Sequence, residues 1–213
     1  MTGFSRPMPL NYITEKFGGF IMEMFLEESK TTLLDQVERE LFKDRVIYLN
    51  EDVSAYTIAN IVPLIHKINK DDENVPVEDR KPIHLHITSY GGSAYDGWQI
   101  VSTIENSKTP VYTYVEGYAM SMGLPLFLAG HKRIIGKYAS LLYHELRGGA
   151  NGTRQDLKRL DKEYDRLQKI YDDYITSKTS IPQDLLVTYQ DRVEDWYIGF
   201  EEAKKYKMFD EVI

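Results

Sequence analysis

From about residue 45 the chain alternates between two spacings of apolar side chains. Arg45-Val-Ile-Tyr-Leu49 is a short run of β-branched and aromatic residues and predicts a strand. Ser54 then heads a segment to Lys70 in which Ile58, Ile61, Ile65 and Ile68 recur at three- and four-residue steps, the spacing of one helix face. Residues 71–82 are polar, carry Pro76 and Pro82, and predict a loop. Ile83–Thr88 is a second strand, broken by Gly91-Gly92. Tyr95–Asn106 follows as a helix, Val111–Val115 as a strand, Ser121–Ala129 as an apolar helix and Leu141–His144 as a buried strand. After Pro182 come a short helix, a strand at Trp196–Ile198 and a helix at Phe200–Tyr206. Strands and helices that alternate in this way predict an α/β fold with a largely parallel sheet.

The longest periodic segment runs from Arg154 to about Thr176, with Leu157, Leu160, Tyr164, Leu167, Tyr171 and Tyr174 in one stripe. At 1.5 Å per residue such a helix is about 35 Å long, more than a compact domain of this size needs. It is expected to project and to pair with a partner. Residues 1–30 show no clean periodicity and are expected to form a terminal arm, leaving 31–213 as the folded domain.

Composition narrows the function. The chain of 213 residues contains no cysteine, which excludes disulfides, a thiol nucleophile and a thiolate metal site and suits a cytoplasmic protein. A net charge of −7 argues against nucleic acid as a partner. No stretch approaches the roughly 20 apolar residues that span a bilayer, so no membrane partner is expected. The 16 tyrosines fit subunit contacts or a peptide groove.

Four features carry candidate chemistry, and each has a plainer explanation when taken alone. Ser121 follows a strand and a turn containing Gly117 and opens an apolar helix, where free N–H groups and the helix dipole favour a developing anion. Serine at that position is more often a simple cap. Gly91-Gly92 allows a sharp turn with close backbone approach, as ordinary strand-to-helix turns also do. His144 lies in an apolar strand, where a histidine is usually a satisfied core residue, and Asp195 resembles a turn cap.

The order of these features is more specific than any of them. Gly117-Tyr-Ala-Met-Ser-Met-Gly123, preceded by Gly91-Gly-Ser93 and followed by His144-Glu-Leu-Arg-Gly-Gly149, resembles the proteolytic subunit of the Clp proteases. Asp195-Trp-Tyr-Ile-Gly-Phe-Glu-Glu-Ala203 and Tyr206–Ile213 are similar to that family's acid, strand and closing helix, so the resemblance spans about Leu41 to Ile213. It implies the spiral ββα fold shared with crotonases, with 154–176 as the handle helix through which two stacked seven-membered rings meet. It also implies serine peptidase chemistry on polypeptides: Ser121 as nucleophile, His144 as general base, Asp195 orienting the imidazole, and the N–H groups of Gly92 and Met122 as the oxyanion hole. No cofactor or metal is implied. The family is fed by a ring-shaped ATPase, and this sequence has no phosphate-loop motif of its own.

The sequence departs from the family pattern at Tyr90, Met120, Glu145-Leu146 and Lys207, the last standing where a glycine closes the final helix. His84 and His86 share one face of a strand, without a third metal ligand in the pattern. Three other readings compete. A crotonase-type acyl-CoA enzyme has the same fold but does not need all three candidate side chains together. A non-catalytic scaffold subunit would lack members of the triad. A signal-peptide peptidase would use a Ser–Lys dyad and a membrane anchor.

Overall fold

A computed structural model of the chain describes residues 32–213, the side chain of Leu34 excepted. The expected arm at 1–30 lies outside the described residues. Helix α1 (Leu33–Lys43) begins at a reciprocal cap, in which Thr32 Oγ1 accepts from the Asp35 N–H and the Asp35 carboxylate accepts from the Thr32 N–H. The sequence pattern did not anticipate this helix. It belongs to a compact unit ending at Asp44, and Arg45–Ile213 forms another.

The second unit is built on two sheets. The larger is wholly parallel and sets β1 (Val46–Leu49), β2 (Ile83–Ile87), β3 (Val111–Val115), β5 (Lys132–Ile135) and β8 (Glu211–Val212) side by side in that order. The smaller holds β4 (Tyr118–Met120), β6 (Ser140–Tyr143) and β7 (Trp196–Ile198), with β4 parallel and β7 antiparallel to β6. The remaining helices are α2 (Ala55–Asp71), α3 (Ala94–Glu105), α4 (Gly123–Leu128), α5 (Arg154–Lys178), α6 (Gln183–Arg192) and α7 (Phe200–Lys205).

The chain repeats one course. It runs through a strand of the large sheet, then an extended stretch at the level of the small sheet, then a helix. After β3 the extended stretch is β4, which leads to α4. After β2 it is Ser89, bridged to Ala119, which leads to α3. After β1 it is Val53, bridged to Gly92, which leads to α2. These units form the α/β fold with a largely parallel sheet that the alternation of elements predicted, in the repeated strand–strand–helix course that the resemblance implied.

Burial follows the pattern. Ile61, Ile65 and Ile68 of α2, Ile100 and Ile104 of α3 and all six residues of α4 are buried. Strands β2 and β3 bury alternate residues, with Ile83, Leu85, Ile87, Val111 and Val115 facing the helices. On the other face His84, His86, Tyr112 and Tyr114 are half-buried; His86 stacks on Tyr114, and Tyr112 meets His84 edge-on. The His84 ring bonds the Tyr114 hydroxyl, and His86 bonds Glu116.

Three short strands, β4, β5 and β8, were not anticipated, and the loop at 71–82 contains one 3-10 turn at Val77–Asp79. The helix expected to open at Ser121 begins two residues later, at Gly123. Helix α5 runs to Lys178, and its buried residues, Leu167, Tyr171, Asp172 and Ile175, all lie in its C-terminal half. The N-terminal turns are exposed or half-exposed, so that end projects from the unit's core.

Candidate active site

The small sheet assembles the site. Ser121 is the first residue after β4, His144 the first after β6, and Asp195 the last before β7. Because β7 runs antiparallel to β6, its start lies at the end of β6. The register pairs Leu141 with Ile198, Leu142 with Tyr197 and Tyr143 with Trp196, so His144 and Asp195 are the next opposing positions. The Ser121 N–H donates to the carbonyl of Leu142, two residues before His144, at 3.0 Å. Three residues far apart in sequence therefore leave one end of one sheet, and all three are half-exposed.

Ser121 has φ 50°, the left-handed region that non-glycine residues rarely occupy. Such strain persists only where the surroundings hold it. Here the Ser121 N–H is bonded to Leu142, and the Ser121 carbonyl accepts from the Leu124 N–H at 2.9 Å and from the Tyr171 hydroxyl at 3.0 Å. The side chain is thus presented at a sharp strand-to-helix turn. The helix behind it has only six residues, so presentation rests on the turn more than on a helix dipole.

Gly91 and Gly92, with φ 96° and 144°, bring the preceding turn against this segment. A Cβ on Gly91 would lie 2.6 Å from Ser121 Cβ and 2.8 Å from the Met122 nitrogen. Only glycine permits that approach. The Met122 side chain in turn packs over Gly97 of α3. Among the described residues, the N–H groups of Gly92 and Met122 donate no hydrogen bond, and both belong to segments that meet beside Ser121.

The side chains of Asp195 and His144 are engaged with other partners. The Asp195 carboxylate is bound by the Arg147 guanidinium, and His144 Nδ1 lies against the carbonyl of Glu145. Among the described residues no hydrogen bond joins Ser121 Oγ to His144 or His144 to Asp195. The site is therefore gathered at the level of the backbone, while its side-chain pairs are differently matched.

Sequence reasoning missed several residues here. Arg147 was read only as part of a motif, and Tyr171 as an apolar stripe position. Buried Tyr143 and Asp172 and half-buried Gln168 and Gln190 form a hydrogen-bonded cluster that begins at the residue before His144. Burial, followed by the neighbouring Asp172 carboxylate, pushes the Tyr143 hydroxyl pKa well above its ordinary value, so it stays a proton donor.

Residues 28–213 match the sequence pattern of the Clp protease family. The chain is 30% identical over 210 residues to the ATP-dependent Clp protease proteolytic subunit of Bacteroides thetaiotaomicron, covering 97% of this chain and 91% of that one. It is 33% identical over 175 residues to the subunit of the same name from Deinococcus radiodurans, covering 81% and 82%. The chain belongs to the Clp protease family. It is accordingly a serine-type peptidase with the Clp fold, and the strained serine between β4 and α4 sits in the segment through which the resemblance was first visible. Among the described residues, no helix is long and apolar enough to cross a membrane.

Proposed function

We propose that this Clp-family chain hydrolyses unfolded polypeptides by acyl-enzyme chemistry, with Ser121 as nucleophile, His144 as general base and Asp195 as the group that orients and stabilises the imidazolium. The observation that carries the reading is that all three leave the same end of the small sheet, with Ser121 held in a left-handed turn against Gly91. Ser121 Oγ attacks the peptide carbonyl, and His144 takes its proton and returns it to the leaving amine. The N–H groups of Gly92 and Met122, which donate no hydrogen bond among the described residues, receive the oxyanion. Substrate lies as an added strand beside the segments after Gly92 and His144, where main-chain hydrogen bonds give binding with little sequence preference.

For turnover, Asp195 passes from Arg147 to His144, and the imidazole leaves the Glu145 carbonyl. Both changes are local, because the β6–β7 register, continued one step past Tyr143–Trp196, brings the two residues opposite one another. The projecting half of α5, with Leu157 45% exposed, supports a ring assembly in which these helices meet across two seven-membered rings. The peptidase domain is 31–213, preceded by an arm, and the rings work in the cytoplasm with a ring-shaped ATPase that supplies unfolded chains.

Ser121→Ala is expected to abolish peptide hydrolysis and leave the native mass of the assembly unchanged. Turnover at the wild-type rate in that variant refutes the assignment.

A further inference from the structure

We infer that Asp172 is a positioning residue that fixes the spacing between nucleophile and base, an inference that rests on the peptidase reading above. Asp172 lies on α5, is 4% exposed, and forms no salt bridge among the described residues. Its Oδ1 accepts from the Tyr143 hydroxyl at 2.7 Å and from Gln168 Nε2 at 2.9 Å, and its Oδ2 accepts from Gln190 Nε2 at 2.7 Å. Gln168 Oε1 in turn accepts from the Leu146 N–H at 2.7 Å.

These partners bracket the catalytic base. Tyr143 immediately precedes His144, and Leu146 follows it by two residues. Gln190 lies in the last turns of α6, whose end at Val193, with φ 55°, turns the chain toward Asp195. The neighbouring residue of α5 completes the arrangement: the Tyr171 hydroxyl holds the Ser121 carbonyl, and its ring stacks on Tyr143 at 5.5 Å. Two consecutive residues of one helix thus grip the nucleophile turn and the base-bearing strand.

A carboxylate buried without a cation is costly, and neutral donors offset only part of that cost. An apolar side chain of similar volume would still fill the space beside Tyr143. What it would lose is directional: four segments would no longer be tied at set distances around His144. Misplacement of a reacting group by an ångström lowers the rate of a step far more than it weakens binding.

The test is peptide hydrolysis by the full-length assembled chain, expressed per site titrated with a fluorophosphonate. Asp172→Ala is expected to lower kcat per titrated site about 100-fold with KM changed less than about threefold. Asp172→Asn keeps an acceptor for Tyr143 and is expected to recover about tenfold of that loss. Should Asp172→Ala fail to assemble, Tyr143→Phe decides, since it keeps the ring stack and removes one donor; kcat per site is then expected to fall about fivefold. Fewer titratable sites at unchanged kcat per site, in whichever variant assembles, overturns the inference. Absence of labelling at Ser121 in the wild-type chain is a different outcome and overturns the peptidase reading itself.

Discussion

The carboxylate of Asp195, one step beyond the Tyr143–Trp196 pair that ends β6 and begins β7, is bound by Arg147 and not by His144. The guanidinium side chain is 63% exposed and belongs to the loop after His144. Arg147 therefore competes with the imidazole for the same carboxylate, in water. An exposed ion pair contributes roughly 0–1 kcal/mol and weakens with salt, so the exchange between the two partners is cheap.

Removing the competitor is expected to help. Arg147→Ala should raise kcat by up to about fivefold, the factor that corresponds to 1 kcal/mol. Added salt should stimulate the wild-type chain and leave the variant flat. A fall in kcat in the variant, measured on a small peptide, would show that the guanidinium supports the acid instead of withholding it.

The Gly91–Ser121 approach is a second sensitive point. A methyl group on Gly91 would come within 2.8 Å of both Ser121 Cβ and the Met122 nitrogen. Gly91→Ala is expected to cut kcat about 100-fold by displacing Ser121 and the Met122 N–H, the proposed nucleophile and oxyanion donor, together. Kinetics and a melting curve on the same preparation check this, since wild-type kcat would mean that the turn yields without cost.

Stability has its own electrostatic anchor away from the site. Asp72, with a side chain 5% exposed, is gripped by Arg45 through two hydrogen bonds of 2.6 and 2.7 Å and accepts from Thr109 at 2.8 Å. The Arg45 guanidinium holds its carboxyl below the usual carboxylate range. The folded pKa thus lies below the unfolded one, near 4. The stabilisation is present at neutral pH and is lost as pH falls through about 4 toward the folded value. Asp72→Asn is expected to cost about 3 kcal/mol at pH 7 and less at pH 3. Urea midpoints at the two pH values check it; equal losses at both would contradict the linkage.

Much of this architecture was legible in the chain, and the exceptions have physical causes. Ile58, Ile61, Ile65 and Ile68 announce α2, and alternation in Ile83–Ile87 announces β2. The missed strands are two to four residues long, too short for a period to register, and Lys132-Arg133 opens β5 with two charges. Ser121 read as a helix opening because serine is a common cap, whereas its left-handed geometry is held by the bond it donates to Leu142 and those it accepts from Leu124 and Tyr171. Lys207, in place of a closing glycine, does adopt φ 55°. The helix end is still satisfied, since Met208 N–H donates to Ala203 and Lys207 N–H to Lys204. Asp172 was illegible for a different reason: a charged residue beside an apolar stripe reads as solvent-facing, and its partners come from β6 and α6.

The most direct test of the account is the site and rate of fluorophosphonate labelling, mapped by peptide mass. The account predicts one adduct, on the peptide carrying Ser121, absent in Ser121→Ala and formed far more slowly in His144→Ala. An adduct on another residue, or labelling of His144→Ala at the wild-type rate, would contradict it.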